Sequence, residues 1–239
     1  NPVGVTMTMA RAAGRKGVRI SQNTPVTGVL ARNGTALGVR TEHGDIQGEF
    51  VVNCAGMWAR QLGELSGVCI PNQAAEHYYL ITDEIPGLGK DLPVMEDPSV
   101  HAYYREEGGG MMVGMFEPDC APWRVEGIPD DFSFGELPGD MDRLSPFLER
   151  AMRRVPVTME VGIRKFFCGP ESFTPDLAPI IGEAPELRNY FVAAGLNSVG
   201  IITGGGIGRV LAHWMLHGRP DVDVTGFNID RCSLYTSPS

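Results

Sequence analysis

Two distant stretches of this chain share one pattern: an apolar β-rich run, a turn of small residues, and then a helix. Phe50-Val51-Val52-Asn53-Cys54-Ala55-Gly56 leads into a helical stretch from Trp58 to Leu65. Tyr190-Phe191-Val192-Ala193-Ala194 leads through Gly195-Leu196-Asn197-Ser198 to Gly204-Gly205-Gly206-Ile207-Gly208-Arg209. Strands that feed directly into helices pack as an α/β layer, so both ends of the chain are expected to share one. The last helix is expected from about Gly206 to His217, because Ile207, Val210, Leu211, Trp214 and Met215 recur with helical spacing. Gly218 and Pro220 give it a stop. A helix that opens on glycines offers free N–H groups and a positive dipole end to an anion or an electron-rich ring.

The middle of the chain has another character. After Pro71, the runs Glu76–Thr82, Ala102–Arg105, Met111–Phe116 and Met159–Phe167 read as strands with Gly-rich connections, which suggests an antiparallel sheet. Pro118 to Pro138, rich in Pro, Gly and acids, reads as a long loop. Asp140 to Val155 reads as a helix with Leu144, Phe147, Leu148 and Met152 on its apolar face, capped by Asp140 or Asp142. Before the first α/β stretch, Val5 to Gly17 reads as a helix and Val18-Arg19-Ile20 as a short strand. Pro25–Leu30 and Ala36–Arg40 read as strands joined by the turn Arg32-Asn33-Gly34, and His43-Gly44-Asp45 turns the chain into Ile46–Phe50. Cys168-Gly169-Pro170-Glu171-Ser172-Phe173-Thr174-Pro175-Asp176 packs turn formers around two apolar residues and reads as a loop held in one shape. The expected architecture is mixed α/β with two interleaved domains: 1–70 and 168–239 form one, and 71–167 form an inserted antiparallel-sheet domain.

Charge and cysteine usage narrow the function classes. A net charge of −9 argues against nucleic acid and anionic membrane surfaces as partners. No apolar run approaches a membrane span, and a secretory signal is not expected. The cysteines at 54, 69, 120, 168 and 232 are odd in number and form no CxxC pair. A disulfide framework and a metal site are therefore not expected, and a reducing compartment fits: bacterial cytoplasm or mitochondrial matrix. Both ends look cut, at Asn1-Pro2 and at Tyr235-Thr236-Ser237-Pro238-Ser239. No GxGxxG follows a strand, so a pyrophosphate-binding βαβ unit, if there is one, is expected upstream.

Taken in order, these segments resemble the C-terminal part of flavin-dependent amine dehydrogenases of the D-amino-acid-oxidase superfamily, with the nearest likeness to sarcosine and dimethylglycine dehydrogenases. Val51-Val52-Asn53-Cys54-Ala55-Gly56-Met57-Trp58-Ala59 resembles that family's "VNCAGxWA" segment. The resemblance implies an FAD-binding fold lacking its N-terminal βαβ unit. It places Cys54, Ala55, Gly56 and Trp58 along the FAD, near its ADP half. Asn23-Thr24-Pro25-Val26-Thr27 resembles the strand whose valine meets the adenine, which assigns Val26 to cofactor contact; by itself it reads as a core valine. Gly204, Gly205, Gly206, Ile207 and Gly208 would set a helix start against the flavin ring, where reduced flavin carries negative charge. Consecutive glycines are costly in a helix, so bare packing is the weaker explanation for them.

In the middle domain, strand alternation puts His77, Tyr79 and Ile81 on one face, and Tyr103 with Arg105 on another strand's face. His77 and Tyr103 resemble a histidine–tyrosine pair that lies over the flavin in dimethylglycine-oxidising relatives. An imidazole and a phenol there orient an amino acid and manage its amine proton. The bland alternative is a structural histidine. Cys168 lies near the position where monomeric sarcosine oxidases attach flavin, but its spacing to Thr174-Pro175-Asp176 differs, so it reads as structural. Those oxidases also use one lysine to activate oxygen and another to hold the substrate carboxylate. Gly108–Phe116 contains no lysine, and Ile201-Ile202 occupy the second place.

The resemblance thus implies an FAD-dependent dehydrogenase that oxidises the N-methyl group of sarcosine, dimethylglycine or a similar amine by hydride transfer. An electron-transfer protein would be the acceptor. Tetrahydrofolate would take the one-carbon unit in a further domain, with Thr236-Ser237-Pro238 opening the linker to it. A second reading is a non-catalytic module like the regulatory subunit of pyruvate dehydrogenase phosphatase, which Glu76-His77 and Asn1-Pro2-Val3-Gly4-Val5 also suit. A third concerns the fragment alone: without the pyrophosphate turn it binds no FAD and is inactive.

Overall fold

Asn33 and Gly34 both take positive φ, 52° and 70°, and this lets a two-residue turn match the twist of the strands it joins. Those strands are β1 (Val26–Arg32) and β2 (Thr35–Thr41), and β3 (Gly44–Gln47) completes a three-stranded antiparallel sheet. The computed structural model describes residues 2–232, and the chain divides into two compact units. One contains the chain up to Gln73 and from Ser172; the other is Ala74–Glu171. The end Tyr235–Ser239, with its expected linker, lies outside the described residues.

In the first unit the two strand-turn-helix stretches lie side by side. β4 (Val51–Asn53) pairs in parallel with β11 (Tyr190–Ala194), and β11 pairs antiparallel with β10 (Ile180–Glu183). One face of this sheet buries Val51, Ile180, Tyr190 and Val192 with Ala59 of α2 (Ala59–Glu64). The other buries Ile181 and Phe191 against Leu211, with Ile207, Val210, Trp214 and Met215 around it. These are the residues whose helical spacing marked the last helix. Gly218 ends that helix at φ 72°, its N–H reaching the carbonyl of Trp214 at 2.7 Å.

Two expectations fail here. The last helix, α4 (Gly200–His217), begins at Gly200 and not near Gly206, so Gly204–Gly208 lie inside it. Asn197 and Ser198 at φ 47° and 68° turn the chain into the helix first, and each interior glycine costs only about 1 kcal/mol. The strand at Val18-Arg19-Ile20 does not form: both apolar side chains are exposed, and the run has no ladder partner among the described residues. The helix before it, α1 (Pro2–Arg15), buries no residue.

The second unit is built on a sheet of order β6-β7-β8-β5-β9. Its strands are β5 (Gln73–Thr82), β6 (Met95–Asp97), β7 (Ala102–Glu107), β8 (Gly110–Met115) and β9 (Ile163–Phe173). The central pairs β5–β8 and β7–β8 are antiparallel. α3 (Met141–Arg154) is capped by Asp140, whose carboxylate accepts from the Arg143 N–H at 3.0 Å. It lays Leu144, Leu148 and Ala151 over Tyr78, Leu80, Tyr104 and Met115. Between Pro118 and Pro138 the chain forms neither helix nor strand.

β9 corrects two more expectations. Pro156–Met159 is a 3-10 turn, so the strand starts at Ile163 rather than at Met159. It then continues through Cys168 to Phe173, which had read as loop. β9 is an edge strand, where Pro170 need not donate to a neighbour.

Candidate active site

The residues of β5, β7 and β8 that do not enter the core under α3 share the opposite face. Tyr79, Gly114 and Tyr103 form one cross-strand row, and Ile81, Met112 and Arg105 the next. The ring of Tyr103 lies across Gly114: a methyl group there would stand 1.9 Å from its Cζ and 2.3 Å from its hydroxyl. Only glycine admits this pose. Phe116, just past β8, stands 5.4 Å from both the His77 and the Tyr103 rings. Tyr79 stacks on Phe167 at 4.5 Å and 20°. Glu171, also on β9, brings Oε2 to 3.9 Å from Nε2 of His77. The structure therefore gathers His77 and Tyr103 around one phenyl ring, with a carboxylate beside the imidazole.

Their electrostatics follow from burial. Desolvation lowers the pKa of His77, and the charge of Glu171 opposes it. The Tyr103 phenol is pushed up by burial and, next, by Glu171. At neutral pH the pair is a neutral imidazole beside a protonated phenol. That combination accepts one proton and donates one hydrogen bond.

The far side of the same sheet holds a second polar group. The Tyr78 hydroxyl donates to Glu76 at 2.5 Å, and Arg143 pairs with Glu76 and donates to Tyr78 at 2.6 Å. Glu117 is buried with both carboxylate oxygens lacking a partner, and burial pushes its carboxyl up to about 7. Cys168 is buried here too, its thiol pushed up to about 11 by desolvation, which leaves little thiolate.

In the first unit, the turn after β4 is organised by Asn53. Its Oδ1 accepts from the Ala55 N–H at 3.1 Å, while its Nδ2 donates to the Ala59 carbonyl and the Tyr190 hydroxyl at 2.9 and 3.0 Å. Cys54 is exposed and Ala55 half-buried in that turn; Gly56 takes φ 58°, and Trp58 closes the short 3-10 helix leading into α2. Asn72 donates to the Gly56 carbonyl at 3.1 Å and to Ser172 at 3.0 Å, and its own buried Oδ1 has no partner. Val26 stands half-buried at the head of β1, in another sheet of this unit. Thr174 and Asn197 join the two motifs that follow β9 and β11: Asn197 Oδ1 accepts from the Thr174 N–H at 2.8 Å, and a methyl on Gly195 would lie 2.3 Å from Thr174 Cγ2. Asp176 then pairs with Arg231 at 2.9 Å, which holds its carboxyl down at about 2.

The glycines of α4 test whether a flat group fits this unit. Methyl groups on Gly204, Gly206 and Gly208 would meet nothing within 4 Å, and one on Gly205 only the Met9 Cε at 3.9 Å. The chain's own packing thus does not require them, although each costs about 1 kcal/mol in a helix. Gly204 and Gly208, one turn apart, share a side of the helix and leave it open to the close approach of a planar group. The row of glycines and the orphaned Asn72 Oδ1 suit a flavin nucleotide; Asn53, Asn72, Gly114 and Glu171 were not singled out from sequence. Asn53 and Glu171 stood inside quoted motifs, but their partners lie far along the chain. Among the described residues no group of three His, Cys, Asp or Glu side chains is placed to hold a metal ion. No described helix is long and apolar enough to cross a membrane.

The family described as "FAD dependent oxidoreductase" (DAO) matches residues 1–214. Human mitochondrial sarcosine dehydrogenase is 42% identical over 97% of this chain and 25% of its own length. The mouse mitochondrial pyruvate dehydrogenase phosphatase regulatory subunit is 39% identical over 95% of this chain and 26% of its own. The chain therefore spans about a quarter of the length of these relatives. Among solved structures, L-proline dehydrogenase from P. horikoshii superposes with a TM-score of 0.79 at 24% identity, covering 95% of this chain and 58% of that one. That likeness concerns the fold.

Proposed function

The chain belongs to the family of FAD dependent oxidoreductases, and on that premise we propose that it is part of a dehydrogenase for an N-methylated amino acid such as sarcosine or dimethylglycine. One observation carries the reading: His77 and Tyr103 flank the same Phe116 ring on one sheet face. Aromatic walls suit the methyl groups and the cationic nitrogen of such a substrate. Tyr103 orients it by hydrogen bonding. His77, kept neutral by burial, takes the proton that the ammonium must lose before its methyl C–H can break. FAD, when bound, supplies the hydride acceptor, and the substrate leaves as an iminium. Val26, the Cys54-Ala55-Gly56 turn, Trp58, Gly204–Gly206, Ile207 and Gly208 are the residues proposed to hold it. The absence of lysine between Gly108 and Phe116 supports a dehydrogenase over an oxygen-consuming oxidase, with an electron-transfer protein as acceptor. A reducing compartment, bacterial cytoplasm or mitochondrial matrix, belongs to the same reading, as does a folate domain beyond this chain.

The test is the visible absorption of the flavin-loaded protein, before and after anaerobic sarcosine or dimethylglycine. Bleaching of the flavin band is expected. A band that persists with every methylated amine would sink the dehydrogenase reading.

A further inference from the structure

We propose that Glu171 is a positioning residue of this site, its carboxylate holding His77 as the acceptor of the substrate's ammonium proton. The inference rests on the amine-oxidising reading above and adds a residue to it. Of the two carboxylates in the Cys168–Asp176 run, Asp176 pairs with Arg231, and Glu171 is the one that no role had yet absorbed. Because the run is strand, alternation puts Phe167, Gly169 and Glu171 on one side of β9. Phe167 fixes which side, since it stacks on Tyr79, two residues from His77 on β5. Gly169 is needed between them: a methyl there would stand 2.8 Å from the Phe167 ring. The backbone that holds Phe167 against Tyr79 therefore also holds Glu171 against His77.

The separation of 3.9 Å is longer than a hydrogen bond to a neutral imidazole but within ion-pair reach of an imidazolium. The pair is arranged for the charged form that exists after proton transfer. In that step an N–H bond of the substrate ammonium breaks and its electron pair stays on the substrate nitrogen. A new N–H bond forms at the unprotonated ring nitrogen of His77. Glu171 makes and breaks no covalent bond; its negative charge faces the new positive one. The other polar groups around His77 do not duplicate this role. Tyr79 on β5 and Tyr103 on β7 are phenols, and Phe116 after β8 is apolar. Arg105 on β7 is engaged with Glu107 at 2.6 Å. Glu117 is buried beside Arg143 and Glu76, and on the site face its charge acts on Tyr103, not on His77.

The experiment is an NMR titration of histidine-labelled, flavin-loaded protein, comparing wild type with Glu171→Gln and assigning His77 with His77→Asn. Removing the carboxylate is expected to lower the His77 pKa by about one pH unit. The acid limb of the rate of flavin bleaching by sarcosine should move to lower pH by the same amount. Glu171→Asp should restore both in part, which a merely structural role would not do. An unshifted His77 in a folded Glu171→Gln protein, with bleaching intact in wild type, would overturn the proposal alone. If Glu171→Gln does not fold, Glu171→Asp decides: a His77 titration identical to wild type despite the withdrawn carboxylate overturns the pairing. A shifted His77 in a protein whose flavin no methylated amine bleaches would support the pairing but overturn the proton step, together with the proposed function.

Discussion

The two faces of the five-stranded sheet carry the same residue types to opposite ends. Tyr78 and Tyr79 are neighbours on β5, as are Tyr103 and Tyr104 on β7. Tyr78 and Tyr104 are 1% and 2% exposed and spend their hydroxyls on structure, Tyr78 on Glu76 and Tyr104 on the Ala151 carbonyl at 2.7 Å. Tyr79 and Tyr103 are half-buried on the other face, among Phe167, Phe116 and His77. One face is sealed by α3 and has its hydroxyls satisfied. The other offers aromatic rings and a histidine–carboxylate pair. In a sheet covered on one side, position parity decides whether a tyrosine is sealed in the core or left on the open face.

Substitutions that respect or cross this division should sort the same way. The largest effect is expected at Leu80, wholly buried under α3: Leu80→Ala should cost about 2–5 kcal/mol of stability in denaturant unfolding. Flavin reduction per folded molecule should stay unchanged; a specific loss of rate would break the division. On the site face, Gly114→Ala must push the Tyr103 ring aside. About a hundredfold fall in the rate of flavin reduction is expected, because misplacement by about 1 Å costs that much. A normal rate would show that Tyr103 does not act from this pose.

Glu117 gives the sealed face a pH dependence. Its carboxyl is raised from 4.5 to about 7 in the folded protein, so the protonated form is the one folding favours. The stability it contributes is full below about pH 4.5 and is lost as pH rises through about 7, a difference of about 3 kcal/mol. Glu117→Gln should match wild type at low pH and exceed it by up to that amount above about pH 8, in unfolding measured across the range. A parallel pH dependence in both proteins would mean that the carboxyl is ionised and solvated. The smallest effect is expected from Tyr104→Phe, which leaves the Ala151 carbonyl without its donor: about 1 kcal/mol of stability and no change in flavin reduction. Tyr103→Phe should do the reverse.

Much of the local structure was legible in the chain. Asn33-Gly34 specifies its hairpin through backbone preference alone. Asp140 caps α3, Gly218 ends α4, and the apolar residues of both helices are those their spacing marks. Two matching strand-turn-helix runs marked one shared α/β layer, and the structure pairs their strands, β4 and β11, in parallel. His77 and Tyr103 were legible as candidates because alternation placed each on a face of its own strand; that the two faces are one came only from the strand pairing.

Other features had no local signal. Val18-Arg19-Ile20 has the composition of a strand, but a strand exists only where a partner strand lies beside it. Pro170 looked like a strand breaker, and only its place on the sheet edge makes it harmless. The triple glycine looked like a helix start, although the helix had already been set going by the left-handed turn at Asn197-Ser198. Asn53 and Asn72 organise the turn after β4 through bonds to Ala59, Tyr190 and Ser172, partners that sequence spacing cannot identify.

By itself, then, the sequence determined what depends on neighbours a few residues apart: turns, caps, helix faces and the parity of each strand. Only the tertiary structure decided which strands are edges, which glycine lies beneath Tyr103, and which carboxylate stands beside His77. Those outcomes depend on contacts between residues far apart in the chain, whose free energy appears only once the sheet has assembled.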